Sequence, residues 1–310
     1  MKRIIFMGTP DFSVPILEDL SAGFNVVLVV SQPDKPVGRK RILTPPSVIS
    51  KARELGLETF QPERIKDEDA IERIKSFEPD IIITAAYGQI LPKELLEIPP
   101  YGAINVHASL LPRHRGGAPI HRAIIEGDSE SGVTIMYMEE GLDSGDMISQ
   151  ASTEITSSDT TGSLHNRLSE IGSKLLLDTL PDIFNDAHTA SPQDESLVTY
   201  SPNISKEDER LDWTHSARLV DFRIRGLSPW PGAYTMHEGA RVKLYFSKFI
   251  NAPTKSEAGT IVSKTENGFT VACGDGKLIE VTEMQPAGKK RMDAAQWISN
   301  NMDAIHTKFE

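Results

Sequence analysis

Cysteine is almost missing: Cys273 is the only one in 310 residues. A single thiol excludes an intramolecular disulfide framework and a cysteine-rich zinc ribbon, and it suits a reducing compartment. Long apolar runs are also lacking. After Met1-Lys2-Arg3 the stretch Ile4–Met7 is too short to be the core of a signal peptide. No other run approaches the ~18 residues that a membrane span needs. The G-x-G-x-x-G fingerprint is missing too, which removes the main argument for a nicotinamide-dependent oxidoreductase. Among the histidines neither H-x-x-x-H nor H-E-x-x-H occurs, so no metal is expected. These absences predict a cytoplasmic protein with no membrane and no metal.

What is present suits a globular chain. Hydrophobic residues make up 39% and charged residues 25%, and at ~100–200 residues per domain the length predicts two domains. The net charge of −11 is uneven, with 18 Lys+Arg against 30 Asp+Glu in residues 1–205, and 15 against 14 in 206–310. Within the acidic part, Lys35, Arg39, Lys40 and Arg41 form a basic cluster free of acids. A polyanion could therefore meet a local positive patch despite the acidic total.

The first part of the chain alternates β-rich runs with helical patterns, which predicts a parallel sheet covered by helices. Strands are expected at 3–7, 26–30, 80–85, 103–107, 133–138 and 147–155. Helices are expected near 12–20, with Asp11 as the cap, and near 47–55, 67–77, 118–126 and 163–180. Residues 31–46 hold the basic cluster and Pro33, Pro36, Pro45 and Pro46; they read as a long loop, and such loops are usually functional. From 181 to 206 the chain reads as a polar, irregular linker. Beyond a helix near 214–225, five short alternating segments punctuated by glycine suggest a small barrel of the oligonucleotide-binding type. They lie at 232–237, 241–249, 258–263, 268–272 and 278–284. Lys289-Lys290-Arg291 then precedes a terminal helix near 293–305.

Two segments could carry chemistry. In strand 103–107 the two-residue period puts Asn105 and His107 on one face at the C-terminal end, where open α/β sheets meet their ligands. An amide donor beside a group that titrates near neutral pH could polarise one carbonyl oxygen. Singly, each has an ordinary structural explanation; together, beside the turn Ser109-Leu110-Leu111-Pro112, they point to a site. Asp143 and Asp146 lie in an acidic, glycine-containing loop, and either could orient the histidine. Gly8-Thr9-Pro10 suits a tight strand-to-helix turn as well as a substrate contact. His114 and His121 read as structural. Trp213, Trp230 and Trp297 could stack bases, but packing is the commoner role for such residues, and for Trp230 between two prolines it is the one expected.

Asn105, His107 and Asp143, with Ser109–Pro112 between, resemble the active site of the 10-formyltetrahydrofolate-dependent formyltransferases. Gly8-Thr9-Pro10-Asp11-Phe12, Gln32-Pro33-Asp34-Lys35-Pro36, Leu110-Leu111-Pro112-Arg113, Pro229-Trp230-Pro231 and Gln285-Pro286-Ala287-Gly288-Lys289-Lys290 extend the resemblance over essentially the whole chain. They are similar to the branch of that family whose acceptor is methionine on initiator tRNA. The resemblance implies a Rossmann-like formyltransferase domain at 1–190, a linker at 191–206 and a C-terminal tRNA-binding β-barrel at 207–310. It implies transfer of the formyl group of 10-formyltetrahydrofolate to the α-amino group of methionine on initiator tRNA, for translation initiation. It names Asn105, His107 and Asp143 as catalytic, Asp143 rather than Asp146, and makes Ser109, Leu110, Leu111 and Pro112 the border of the folate site. The basic loop, with Arg39 as the chosen contact beside Lys40 and Arg41, would engage the acceptor end of the tRNA, and Lys289 and Lys290 would join it. A monomer is expected. A formyltransferase for a sugar nucleotide or a purine precursor would share the catalytic trio but not the basic loop and barrel, and a purine enzyme would end near ~200 residues. A non-catalytic RNA-binding protein would bind no folate.

Overall fold

The computed structural model describes residues 1–38 and 40–310. Arg39, chosen above for the tRNA contact, lies outside the described residues. The chain separates into two compact units whose segments interleave. The first comprises Met1–Gly116, Ser131–Thr153 and His165–Tyr200. The second comprises Gly117–Glu130, Glu154–Leu164 and Ser201–Glu310.

In the first unit, β1 (Arg3–Gly8), β2 (Asn25–Val30), β3 (Lys35–Val37), β4 (Ile42–Thr44), β5 (Thr59–Phe60), β6 (Ile81–Ala85), β7 (Ala103–His107), β8 (Glu130–Tyr137) and β9 (Met147–Glu154) alternate with helices. These are α1 (Ser13–Gly23), α2 (Ser47–Glu54), α3 (Glu68–Ser76) and α4 (Lys93–Leu96); α6 (Thr161–Phe184) begins in the second unit and continues in the first. Seven strands form one sheet in the order β5-β2-β1-β6-β7-β8-β9, parallel from β5 to β7 and antiparallel between β7 and β8. Unbroken apolar runs such as Ile4-Ile5-Phe6-Met7 and Ile81-Ile82-Ile83 are fully buried, as strands covered on both faces require. The strand order reverses at β1, with β2 on one side and β6 on the other. Ligand crevices of such sheets open at this reversal, beyond the C-terminal strand ends.

The turn after β1 needs glycine for space. A Cβ on Gly8 would lie 2.7 Å from the Cβ of Ser13, whose hydroxyl donates to the Ala85 carbonyl at the end of β6. Asp11 does not cap α1: the N-cap is Phe12, with no side-chain hydrogen bond. The expected loop at 31–46 contains the short hairpin β3–β4, closed through Gly38 and Arg41, both with positive φ. Proline at 36 tolerates this edge pairing because its register partner is Leu43 on a two-stranded ribbon. The helix expected to end at 180 runs on through Pro181 to Phe184, and the polar stretch beyond it is ordered by hydrogen bonds described below.

The second unit adds α5 (Pro119–Ile125), α7 (Ala217–Gly226), β10 (Ala233–His237), β11 (Ala240–Ile250), β12 (Ile261–Lys264), β13 (Phe269–Ala272), β14 (Leu278–Pro286), β15 (Met292–Asp293) and α8 (Ala294–Asn300). Its antiparallel sheet runs β10-β11-β14-β13-β12, with β15 on β14. Residues 306–310 close it. On one side they bond to Gly259 and Ile261 beside β12, and on the other Glu310 exchanges both backbone bonds with Met236 of β10. Phe309 in that segment is 1% exposed, stacked on Trp213 and tilted against Phe269. Trp213 donates to Thr235, so it is a core residue, and Trp297 packs on Phe269 and His237. Trp230 is 45% exposed, and its neighbour Pro229 packs on Gly162.

Residues 117–130 pack in this unit through α5, because Gly226 and Gly127 let Ile125 and the Phe222 ring come close. Arg122 on α5 forms a two-pronged pair with Asp208, at 3.2 and 2.8 Å. Burial raises the Asp208 pKa, but the Arg122 guanidinium and the Ser205 bonds outweigh it and hold the carboxyl below the ordinary 3.8.

Two outcomes follow from this packing. Phe309→Ala should cost about 3–5 kcal/mol in urea unfolding, through the cavity it leaves in the closure. Asp208 contributes stability above the unfolded aspartate pKa and loses it as pH falls through the lowered folded value. Asp208→Asn should therefore be less stable than wild type at pH 7, and the gap should narrow below about pH 4 in the same unfolding assay.

Candidate active site

The site is built on the C-terminal end of β7. Ile104, Val106 and their neighbours are buried in the sheet, whereas Asn105 remains partly open. Thr84 of β6 is the register partner of Asn105. Partners in register share a face, and the Thr84 hydroxyl donates to Asn105 Oδ1 at 2.8 Å. Nδ2 keeps its protons, with no protein acceptor among the described residues.

His107, 6% exposed, is next on that face. Its Nε2 lies 3.0 Å from the His114 carbonyl, which can only accept, so this nitrogen carries a proton. Nδ1 faces Asp143 Oδ1 at 3.6 Å, an ion-pair distance too long for a good hydrogen bond. Asp143 reaches this position from the β8–β9 loop with φ of 47°, a left-handed backbone uncommon outside glycine. Its other oxygen, Oδ2, accepts the Gly116 N–H at 2.8 Å. Asp146, the alternative acid, is not in the pair; its carbonyl accepts the Tyr137 N–H and continues the strand. The structure thus pairs His107 with Asp143 and puts Asn105 two residues earlier on the same face of β7.

The turn after β7 is satisfied internally. The Ser109 hydroxyl donates to the Arg113 carbonyl at 2.7 Å. Thr134, register partner of His107, donates to the Ser109 carbonyl and accepts the Leu111 N–H. Gln150 donates to the Leu111 carbonyl. Ser109 and Leu111 are buried, so Leu110 and Pro112 are the half-open side chains of this group. His114 serves through its backbone: its N–H bonds to Thr199 and its carbonyl orients His107.

Of the proposed nucleic-acid contacts, Lys40 and Arg41 are exposed on the β3–β4 hairpin, beside the exposed apolar residues Val37, Ile42 and Leu43. Lys289 and Lys290 are exposed between β14 and β15, and none of the four makes an ion pair among the described residues. Arg291 differs, being paired with Glu283. Cys273 is buried and its thiol is pushed up to about 12 by that burial, so it is not a nucleophile. Sequence reasoning missed Thr84 and Thr134, and read Gly116 only as part of a loop, without its bond to Asp143. Thr84 left a trace, a lone hydroxyl ending the run Ile81-Ile82-Ile83; a glycine amide leaves none.

Comparison with known proteins places this geometry. Residues 1–180 match the family model described as formyl transferase, and residues 203–301 match formyl transferase, C-terminal domain. Methionyl-tRNA formyltransferase of Halalkalibacterium halodurans is 52% identical over 297 residues, 96% of this chain and 94% of that one. The enzyme of the same name from Bacillus subtilis is 50% identical over 299 residues, covering 96% and 94%. Among solved structures, WlaRD, a sugar 3N-formyl transferase crystallised with dTDP and 5-N-formyl-THF, superimposes with a TM-score of 0.68 at 18% identity, covering 94% of this chain and 99% of its own. HypX from Aquifex aeolicus in complex with tetrahydrofolic acid gives 0.66 at 18% identity; 98% of this chain is covered, but the chain spans about half of HypX (48%). At such identities the likeness concerns the fold alone. The sequence matches, by contrast, run through both units, and the chain belongs to the formyl transferase family.

Proposed function

We propose that this chain transfers the formyl group of 10-formyltetrahydrofolate to the α-amino group of methionine carried by initiator tRNA. What carries this reading is identity of about half to methionyl-tRNA formyltransferases across 96% of the chain, second unit included. Functionally, residues 1–190 supply the catalytic domain, 191–206 the linker and 207–310 the tRNA-binding domain. Charged initiator tRNA puts its work in the cytoplasm.

The site suits such a donor. A formyl carbonyl needs a hydrogen-bond donor with nothing else to bind, and Asn105 Nδ2 is one. The amine nitrogen attacks the formyl carbon and loses a proton; the bond to the folate nitrogen then breaks, and that nitrogen takes up a proton as tetrahydrofolate leaves. Asn105 donates to the formyl oxygen as negative charge develops there. His107, oriented by its Nε2 bond to the His114 carbonyl, turns Nδ1 toward the reacting groups. Asp143 Oδ1 is the oxygen left for the departing proton, because Oδ2 is held by Gly116. The amine's nucleophilicity is helped by esterification of methionine, which lowers its basicity. The turn Ser109–Pro112 borders the folate through its backbone and through Leu110 and Pro112.

The tRNA contacts are phosphate contacts from Arg39, Lys40 and Arg41 and from Lys289 and Lys290. Support comes from the exposure of the four described cations and their lack of acidic partners among the described residues. The apolar residues beside Lys40 and Arg41 suit a hairpin that meets a surface rather than only water.

Transfer of labelled formyl from 10-formyltetrahydrofolate tests the assignment, with methionyl-tRNA, uncharged tRNA and an amino-sugar nucleotide as acceptors. Transfer to methionyl-tRNA alone is expected; transfer to the sugar alone would refute the acceptor. His107→Asn should lower kcat at least about 100-fold, and wild-type kinetics in that variant would remove His107 from the mechanism. Replacing Lys289 and Lys290 together by alanine should flatten the plot of log affinity against log salt by roughly one to two units, one for each phosphate no longer neutralised. An unchanged slope in a filter-binding titration would exclude them.

A further inference from the structure

The β8–β9 loop has reasons not to stay where it is. It carries Glu139, Glu140, Asp143 and Asp146 close together, and Asp143 holds a left-handed backbone that is strained in a residue with a Cβ. Yet Asp143 must present one oxygen to His107 and the other to the Gly116 N–H. Something outside the loop has to hold it.

Gln193, from the polar segment after α6, is 8% exposed and reaches both sides of that bond. Its Nε2 donates to the Asp143 carbonyl at 2.8 Å and to the Gly145 carbonyl at 2.9 Å. Both amide protons are thus spent on the loop. Its Oε1 accepts from Arg115 Nε at 3.0 Å. Arg115 adjoins Gly116, is 3% exposed, and is anchored by Glu195 at 2.8 Å and by its own N–H to the Thr199 carbonyl. Met147 and Ser191 exchange both backbone bonds, so the same segment is stitched to the start of β9. Gly145 admits no side chain, since a Cβ there would lie 2.0 Å from the Tyr137 carbonyl. The loop is therefore gripped by one amide through two carbonyls, and the residue next to the donor of the Gly116–Asp143 bond is gripped by the same amide.

We infer that Gln193 is a positioning residue for catalysis, setting the distance from Asp143 to His107 by clamping the β8–β9 loop to the turn at Arg115–Gly116. The inference rests on the proposed role of Asp143. The chemistry demands an amide. A carboxylate could accept from Arg115 but would face two carbonyls with no proton to give, and an apolar side chain would offer neither bond. Loss of the clamp lets Asp143 move by a fraction of an ångström to an ångström. Displacements of that size cost up to about 100-fold in the chemical step while leaving substrate affinity alone.

The test compares Gln193→Leu, Gln193→Glu and Asp143→Ala with wild type in formyl transfer, measuring kcat and both KM values, together with thermal unfolding. Both Gln193 variants should lose about 10- to 100-fold in kcat with KM values within about threefold. Their melting temperatures should stay within a few degrees of wild type. If Gln193→Leu does not fold, Gln193→Glu, which keeps the Arg115 acceptor, decides alone. Wild-type kcat in a folded Gln193 variant beside an inactive Asp143→Ala would overturn the clamp and leave the site intact. A loss that appears in KM or in melting temperature instead of kcat would overturn it as well, reducing Gln193 to a structural link. An active Asp143→Ala would refute the assignment of the acid itself, and the clamp with it.

Discussion

Each of the three site side chains is held to the protein by one polar atom and leaves the other uncommitted. Asn105 is fixed through Oδ1 by Thr84, His107 through Nε2 by the His114 carbonyl, and Asp143 through Oδ2 by the Gly116 N–H. The constraint comes from burial. Polar groups at the end of a sheet whose strands are apolar on both faces must find partners, or they cost more than they contribute. Satisfying one atom each leaves a defined set for the proposed chemistry: Asn105 Nδ2, His107 Nδ1 and Asp143 Oδ1. The rest of the architecture serves this division. Pairing of β6 with β7 supplies Thr84, the antiparallel β8 supplies Thr134 to the turn, and the segment after α6 supplies Gln193.

Much of this was legible because it depends on local periodicity. The two-residue period of β7 was enough to put Asn105 and His107 on one face, and the buried runs of β1, β2 and β6 are readable as parallel strands without knowing their order. Asp143 was only half legible: loop composition left it level with Asp146, and the resemblance to known formyltransferases decided between them. Geometry distinguishes them by backbone, since the carbonyl of Asp146 continues the strand while the turned-in Asp143 faces His107. The closure of the C-terminal sheet was not legible at all. Residues 306–310 have no alternation to announce a strand, and they pair on both sides only once β10 and β12 exist.

The stretch from 181 to 206 shows why composition misleads about order. Pro181, Ser191-Pro192-Gln193-Asp194 and scattered acids read as a linker, because hydrophobic periodicity is the usual signal of structure and here there is none. Order in this segment comes instead from polar bonds with distant residues: Met147, Arg115, His114 and the Asp143 loop. Such bonds leave no period in the sequence. The same blindness applies to 117–130, which reads as part of the α/β pattern but belongs by packing to the second unit, through Gly226, Gly127 and the Arg122–Asp208 pair.

The charge distribution gains meaning from the same distinction between local and global. A net charge of −11 opposes any polyanion at long range, yet screening confines that opposition to roughly 8–10 Å at physiological salt. Inside that distance a tRNA meets whichever charges are nearest. The proposed contacts Lys40, Arg41, Lys289 and Lys290 are exposed and without acidic partners among the described residues, while Arg291 is neutralised by Glu283. A body of net charge −11 opposes nucleic acid in general, and non-specific affinity grows only with the number of phosphates that local patches neutralise. Elongator tRNAs offer the same phosphates and would be held weakly. Discrimination must then come from contacts other than those to phosphates, which all tRNAs share. The excess of negative charge thereby sets a limit on general affinity and leaves discrimination to the fit of the bound tRNA.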